Sequence, residues 1–359
     1  MLELWTHESA TGDEREKVGA KAAAEGTQWS MKLDGTGDCA FVFVVNDAET
    51  GLTGAQIDAL FAANSTMLCL RWGTAVIGAW KLEDWDYDND KGTVTVTGVE
   101  IRNEATFRLT YGVSVYTSGT LTVTNRTRAG AVRAVLARFM QWAPEWAYPI
   151  DLPADGSGSY SATWEFWRKY TIDDLLKQIE SDGVEIVFRP YLTSGRQLRF
   201  ETIVAVKVSV GTSYFHLQAE DSPLSGIKYK KSGAQQLTGL QGVGNGTGQD
   251  QEVAWAGNSG SSGIPIRDAK REFPDLTGAR LQSATNAAFA AMKDPIVQWT
   301  VSSFTASDEY PPSHAVVGRG WQLDSKGHRV LPDGPHNLRV IAASGSFSNV
   351  ISTEVQSGV

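Results

Sequence analysis

Apolar and polar residues alternate along much of the first third of the chain, and a period of two predicts strands. In residues 27–46, TQWSMKLDGTGDCAFVFVVN, flanks rich in Val and Phe lie on either side of Asp34-Gly35-Thr36-Gly37, the pattern of a hairpin. TGAQIDALFAA then sets Ile57, Leu60 and Phe61 at i, i+3 and i+4, which predicts a short helix starting near Thr53 or Gly54. From Met67 to Val99 the period returns to two, as MLCLRW, a turn at Gly73-Thr74, AVIGAWKLEDWDYD, a turn at Asn89-Asp90-Lys91-Gly92, and TVTVTGVEI. These elements predict a β-rich domain over residues 1–104.

Helical spacing dominates the next region. After a strand at Leu121–Thr124, Val132, Val135, Leu136, Phe139 and Met140 form one apolar stripe, with Arg128, Arg133 and Arg138 mostly on a solvated face. WEFWRKYTIDDLLKQIESDG predicts a strand leading into a helix capped by Thr171, with Asp174 three residues on, a stripe of Ile172, Leu175, Leu176 and Ile179, and a stop at Gly183. VEIVFRPYL and QLRFETIV predict a hairpin across Thr193-Ser194-Gly195-Arg196, completing an inserted α+β region over 105–226. Residues 242–263, GVGNGTGQDQEVAWAGNSGSSG, read as a mobile loop or interface arm broken by a short VAW strand. A helix over about 277–293, on Leu281, Ala284, Ala288 and Met292, completes a region spanning 227–293. IVQWTVSSF, WQLDS, HNLRVIAAS and SNVISTEV predict a closing β-rich region over 294–359. The fold class is mixed, β-rich α+β and multidomain, with domains that need not be continuous in sequence.

Composition narrows the function. With 359 residues, 42% hydrophobic and 20% charged, the chain has enough apolar surface for several cores. Its N-terminus lacks the basic and apolar regions of a secretory signal, and no run approaches the roughly 20 apolar residues of a membrane span, so a soluble protein made in a cytoplasm is expected. Residues 1–104 hold 18 acids and 8 bases, net −10, leaving 23 acids and 24 bases, net +1, for the remainder. An acidic first third argues against gripping nucleic acid there, because affinity for phosphates needs Lys and Arg.

No motif for catalysis or metal binding is complete. Cys39 and Cys69 stand in apolar surroundings without a CxxC, and His7, His216, His314, His328 and His336 include no HExxH, so neither metal nor cofactor is expected. Asp84, Asp86 and Asp88 have the spacing of a calcium loop, but Asn89 replaces its glycine and Thr95 its bidentate Glu, while alternation with Trp85 and Tyr87 fits a strand. Gly242, Gly244, Gly246 and Gly248 miss the GxGxxG pattern, and no GxSxG occurs. Glu165, beside Trp164 and Trp167, is the one focus for a glycan-cleaving or glycan-binding alternative, and a core strand of alternating aromatics explains it better.

The order of these modules resembles the minor tail proteins, or baseplate (tail-tip) hubs, of long-tailed actinobacterial phages. The resemblance is carried by RWGTAVIGAWKLEDWDYDNDKGTVTVTGVEI, by YPIDLP and YTIDDLLKQIESDGVEIVFRPYL with GRQLRFE, and by LTGLQGVGNGTG, DPIVQWTV and LPDGPHNLRVIAASGSFSNVISTEV, with PDG-H-x-x-RVI the most telling run. SHAVVGRGWQLDSKG departs from the family's turn near the last β-domain. The resemblance implies a non-enzymatic virion protein with tail-tube-like β-barrel domains and inserted helix-strand domains, forming a homotrimeric ring. It would meet a distal tail protein, the tape-measure protein and receptor-binding or fibre proteins, and DNA would pass through without specific binding. A distal tail or tail-tube-like ring protein, usually hexameric, is the alternative within this class. The acidic residues Asp84, Asp86, Asp88 and Asp90 are then expected to face the DNA channel, where repulsion of phosphate limits sticking.

Overall fold

The computed structural model of the chain describes all residues except 1, 20, 23–24, 46–50, 112–118, 142–146, 258–263, 275, 332 and 358–359. The NSGSSG half of the glycine-rich stretch and the proline of the PDG run lie outside the described residues. The chain divides into two units, one formed by Met1–Gly226 with Val301–Ser357 and the other by Ile227–Thr300. No helix among the described residues is long and apolar enough to cross a membrane.

The described residues of 28–99 fold as their alternation predicts, and three strands that the pattern does not mark precede them. The elements of this first third are β1 (Leu2–Glu8), β2 (Glu14–Lys17), β3 (Lys21–Ala22), β4 (Gln28–Lys32), β5 (Asp38–Val44), α1 (Gly54–Leu60), β6 (Thr66–Trp72), β7 (Ala75–Asp88) and β8 (Thr93–Val99). Trp29 and Met31 of β4, Cys39, Phe41 and Phe43 of β5, and Val94 and Val96 of β8 all point into one core. Thr53 caps α1 reciprocally with Gln56, and Phe61 just beyond it stacks on Phe43 at 6.0 Å. In β6, by contrast, Thr66 to Arg71 are buried on both faces, as its continuous apolar run allows. Met67 and Cys69 belong to a second core shared with the inserted helices.

That inserted region comprises β9 (Leu121–Arg126), α2 (Arg128–Phe139), β10 (Ile150–Asp151), β11 (Tyr160–Trp164), α3 (Ile172–Glu180), β12 (Glu185–Leu192) and β13 (Leu198–Ala205). Val132, Val135, Leu136 and Phe139 of α2 and Ile172, Leu175, Leu176 and Ile179 of α3 are fully or almost fully buried, as their spacing predicts. Thr171 and Asp174 form the predicted reciprocal cap, at 3.1 and 2.8 Å. Two sets of ion pairs fasten this layer to the rest of the first unit, and a third pair joins β7 to the turn at Ile101–Thr106. Arg102 grips Glu180 bidentately at 2.6 and 2.7 Å and reaches Asp173 at 3.1 Å. Lys81 of β7 donates to Glu104 at 2.6 Å, and Arg339 grips Glu185 of β12 at 2.6 and 2.7 Å.

Further along lie β14 (Thr212–His216) and β15 (Leu224–Ser225), after which the second unit begins. It contains β16 (Lys228–Ser232), β17 (Gly239–Val243), β18 (Val253–Gly257), β19 (Asp268–Glu272), α4 (Gly278–Ala290) and β20 (Ile296–Thr300). β17 is the centre of a three-stranded sheet between β18 and β19, while β16 pairs with β20. The glycine-rich stretch is thus no loop at its start, because Gly242 lies in β17 and leaves room for Thr285 of α4, whose Oγ1 would stand 1.8 Å from a Cβ there. IVQWTVSSF is likewise not one strand: β20 ends at Thr300 and pairs within the second unit, whereas β21 (Ser303–Thr305) pairs with β15 and β24 (Val350–Ser357) of the first. The first unit closes with β22 (Gly320–Ser325), β23 (Gly334–Gly345) and β24.

A 14-stranded sheet runs through the first unit in the order β15-β21-β24-β23-β4-β5-β8-β7-β6-β1-β2, with β3 beside β5, β22 beside β23 and β14 beside β22. Its central event is the antiparallel pairing of β4 with β23, Ala342 opposite Lys32 and Gly345 opposite Trp29, which joins the two ends of the chain. Phe347, just past β23, packs on Phe41 at 5.3 Å, and Trp29 donates its indole N–H to the Ser346 carbonyl at 3.0 Å. The sheet is open, and no closed barrel forms among the described residues. Its end strands are the four-residue, mostly exposed EREK of β2 and the two-residue β15, and a strand that short and charged does not template closure. The structure is therefore a β-rich α+β protein with one large sheet and several small ones, without the closed barrels expected from the resemblance.

Candidate functional site

The acidic strand sits at the free end of the β7–β8 hairpin. Asp84, Asp86 and Asp88 stand opposite Thr97, Thr95 and Thr93, while Trp85 and Tyr87 alternate with them opposite Val96 and Val94. A β-bulge between Leu82 and Asp84 sets this phase, after which Asp84, Asp86 and Asp90 are exposed and Asp88 is half-buried. Asp88 accepts the backbone N–H groups of Asp90 and Lys91 at 3.0 and 3.1 Å, which closes the turn and holds its carboxyl below the usual range. Asp84, Asp86 and Asp88 are thus residues of an extended strand paired with β8, which makes the hairpin an acidic ribbon in place of the curved loop a calcium site takes.

Two charged clusters escaped the sequence reading. His7, fully buried in β1, donates from Nδ1 to the Gly12 carbonyl at 2.9 Å, and its Nε2 accepts from Arg71. Arg71 also meets Glu14 at 2.7 Å, Arg196 joins Glu14 at 3.0 Å, and the two guanidiniums lie 4.6 and 4.9 Å from the ring centre of Trp5. Burial pushes His7 down to about 4, which keeps Nε2 free to accept. The signal was Arg71 within the apolar run MLCLRW, since a charge there has to be paired. Nothing in the sequence showed that its neighbours would include Arg196.

The second cluster borders a cavity of about 330 Å³ lined by the start of β7, the β4–β5 turn, β12 and the loop before β22. Met31, Ile77, Ile186 and Phe188 supply apolar wall, and Glu100 supplies a carboxyl. That carboxyl accepts backbone N–H groups from Gly37 and Lys32, yet burial raises it to about 7. Glu100 thereby fastens both ends of the first hairpin's turn.

The remaining candidates separate. Trp164 is buried and donates to Gln178 at 2.8 Å, whereas Trp167 is 60% exposed beneath the Arg168 guanidinium, so the two rings do not flank one cleft. Glu165 between them accepts from Thr120 at 3.0 Å. His314 bonds Ser213 at 2.8 Å, His336 bonds Ser325 at 3.0 Å, and His328 accepts the backbone N–H groups of Val330 and Leu331, all structural uses. Cys39 and Cys69 are buried free thiols, and burial pushes Cys69 up to about 11, far from a reactive thiolate.

No protein-family model and no curated protein matches this chain. Solved structures do. A tail protein from Neisseria meningitidis aligns over 99% of this chain and 96% of its own at 11% identity, with a TM-score of 0.56. The 43 kDa tail protein of prophage MuSo2 from Shewanella oneidensis aligns over 99% and 98% at 10% identity, also with a TM-score of 0.56. Prophage tail protein gp18 from Listeria monocytogenes aligns over 98% and 94% at 10% identity, with a TM-score of 0.52. The chain shares the fold of these tail proteins along nearly its whole length. Their sources give no support to the actinobacterial part of the resemblance.

Proposed function

We propose that the chain is a structural subunit of a phage-type tail tip, a baseplate hub that extends the tail tube and connects it to host-recognition components in the virion. The observation that carries this reading is a likeness in fold over almost the full length of three separate tail proteins. The ion pairs of Arg102 and Arg339 accord with it, because they brace an inserted layer against the rest of the first unit without building a reaction centre. In this reading three copies form a ring, and each open sheet supplies one segment of a wall that its neighbours continue. A distal tail protein, the tape-measure protein and receptor-binding or fibre proteins are its partners. The acidic ribbon at Asp84, Asp86, Asp88 and Asp90 lines the path of DNA and repels phosphate.

Native mass spectrometry of the purified chain is the direct test, with a trimer expected. A hexamer would move the protein to the distal tail or tube ring, and a strict monomer at concentrations near those of assembly would remove the ring altogether. For the ribbon, replacing Asp84, Asp86, Asp88 and Asp90 by Lys is expected to slow DNA ejection in a salt-dependent manner. Ejection at the normal rate in low salt would place the ribbon away from DNA.

A further inference from the structure

The second unit carries an exposed tryptophan on a built platform. In the sheet of β17, β18 and β19, Leu240, Gly242, Ala254 and Ala256 are buried on the face that packs against α4. The opposite face brings Trp255 of β18 beside Gln241 of β17 and Lys270 of β19 in one row, with Gly239 and Asp268 paired in the next. Trp255 is 45% exposed on this outward face. A Cβ at Gly239 would stand 2.4 and 2.7 Å from Cζ2 and Cη2 of the indole and 2.6 Å from the Asp268 carboxylate, so the ring and the acid both crowd the space above the bare glycine.

We infer that this face binds a glycan, a chain of β-1,4-linked pyranoses in which one ring stacks on Trp255. Pyranoses with equatorial substituents present an apolar face of axial C–H bonds about as wide as an indole, and their hydroxyls project at the rim. Here the rim holds an acceptor in Asp268, whose Oδ1 takes a 3.3 Å contact from Thr238 among the described residues, and the amide of Gln241 and ammonium of Lys270 beyond it. The size of the face favours this occupant over a protein. Three strands of five residues cover about 240 Å² at ~4.8 Å between strands and ~3.3 Å per residue, against about 800 Å² per partner in a stable protein interface. Charge disfavours single-stranded nucleic acid, since Asp268 and Glu272 outnumber Lys270, which is itself paired with Glu272 at 3.2 Å.

The site is independent of the assembly role, and the full chain can be tested for it by titration with N-acetylchitohexaose and cellohexaose, followed by saturation-transfer NMR and calorimetry. At least one probe is expected to bind, with Trp255→Ala weakening it by about tenfold or more, the scale of one lost stacking contact, at an unchanged melting temperature. Gly239→Val, which drives a side chain into the space of the ring, is expected to weaken binding while Trp255 itself remains. Absence of binding by both probes, or equal binding by the Trp255→Ala chain, overturns the inference. So does Trp255-dependent binding of a thymidine oligonucleotide in place of the sugars, or loss of self-association in Trp255→Ala, which would make the face a contact between copies.

Discussion

Two single residues hold opposite proton affinities, and together they shape the response to pH. His7, near 4 in the folded chain, binds fewer protons than its unfolded counterpart at about 6.5, so its contribution is complete above 6.5 and is lost as pH falls toward 4. Glu100, near 7 against an unfolded value of 4.5, does the reverse, since its contribution is complete below 4.5 and is lost as pH rises through 7. Between about 4.5 and 6.5 the two slopes oppose each other. Urea unfolding should therefore show His7→Gln gaining stability relative to wild type on acidification from pH 6.5 to 4.5, and Glu100→Gln losing it over the same range. Parallel curves for all three proteins would show that neither group is perturbed. A third residue tests packing: Gly78→Ala would place a Cβ 2.5 Å from Cη2 of the fully buried Trp80 and is expected to cost about 1–3 kcal/mol in denaturant unfolding. The strand that carries Trp80 was legible from its pattern. That the ring of Trp80 folds back over a glycine two residues away was not, because alternation gives the face of a side chain and not its rotamer.

At the scale of elements, α3 is the case in which local signals sufficed. A capping pair at Thr171 and Asp174, a four-residue stripe and a stop at Gly183 all agree, and the helix forms over Ile172–Glu180. Thr171→Ala is expected to lower stability by about 1 kcal/mol, and an unchanged denaturation midpoint would count against the cap. The stretch beginning at Gly242 shows where such signals mislead. Its glycines suggest freedom, but in β17 and just past its end they serve approach, since a side chain at Gly242 or Gly244 would strike Thr285 or Leu281 of α4. Of the predicted stripe of Leu281, Ala284, Ala288 and Met292, Leu281 is fully enclosed and the others are half-buried, while the second enclosed residue is the unpredicted Thr285, which bonds back to the Leu281 carbonyl at 2.8 Å.

Across the whole molecule, the pairing of β4 with β23 makes the C-terminal strands part of the core begun by the first hairpin. Arg339, within the PDG-H-x-x-RVI run, is 3% exposed and fixes β23 to Glu185 of the inserted hairpin, so Arg339→Met is expected to cost about 3 kcal/mol by urea unfolding. A loss below about 0.5 kcal/mol would show the pair to be surface-like. The sequence by itself determined strands β4 to β8, β12, β13 and β22 to β24, the three helices with clean stripes or caps, the turns at Gly35, Gly73 and Gly92, and the want of any complete catalytic or metal motif, because each of these rests on spacing within about a dozen residues. Only the tertiary structure decided that IVQWTVSSF divides between two units, that Arg71 and Arg196 share Trp5, that the large sheet stays open, and that Trp255 lies over Gly239 beside Asp268. These depend on which distant strands pair and in which register, and the energy of pairing belongs to the partners jointly and is not written in either segment alone.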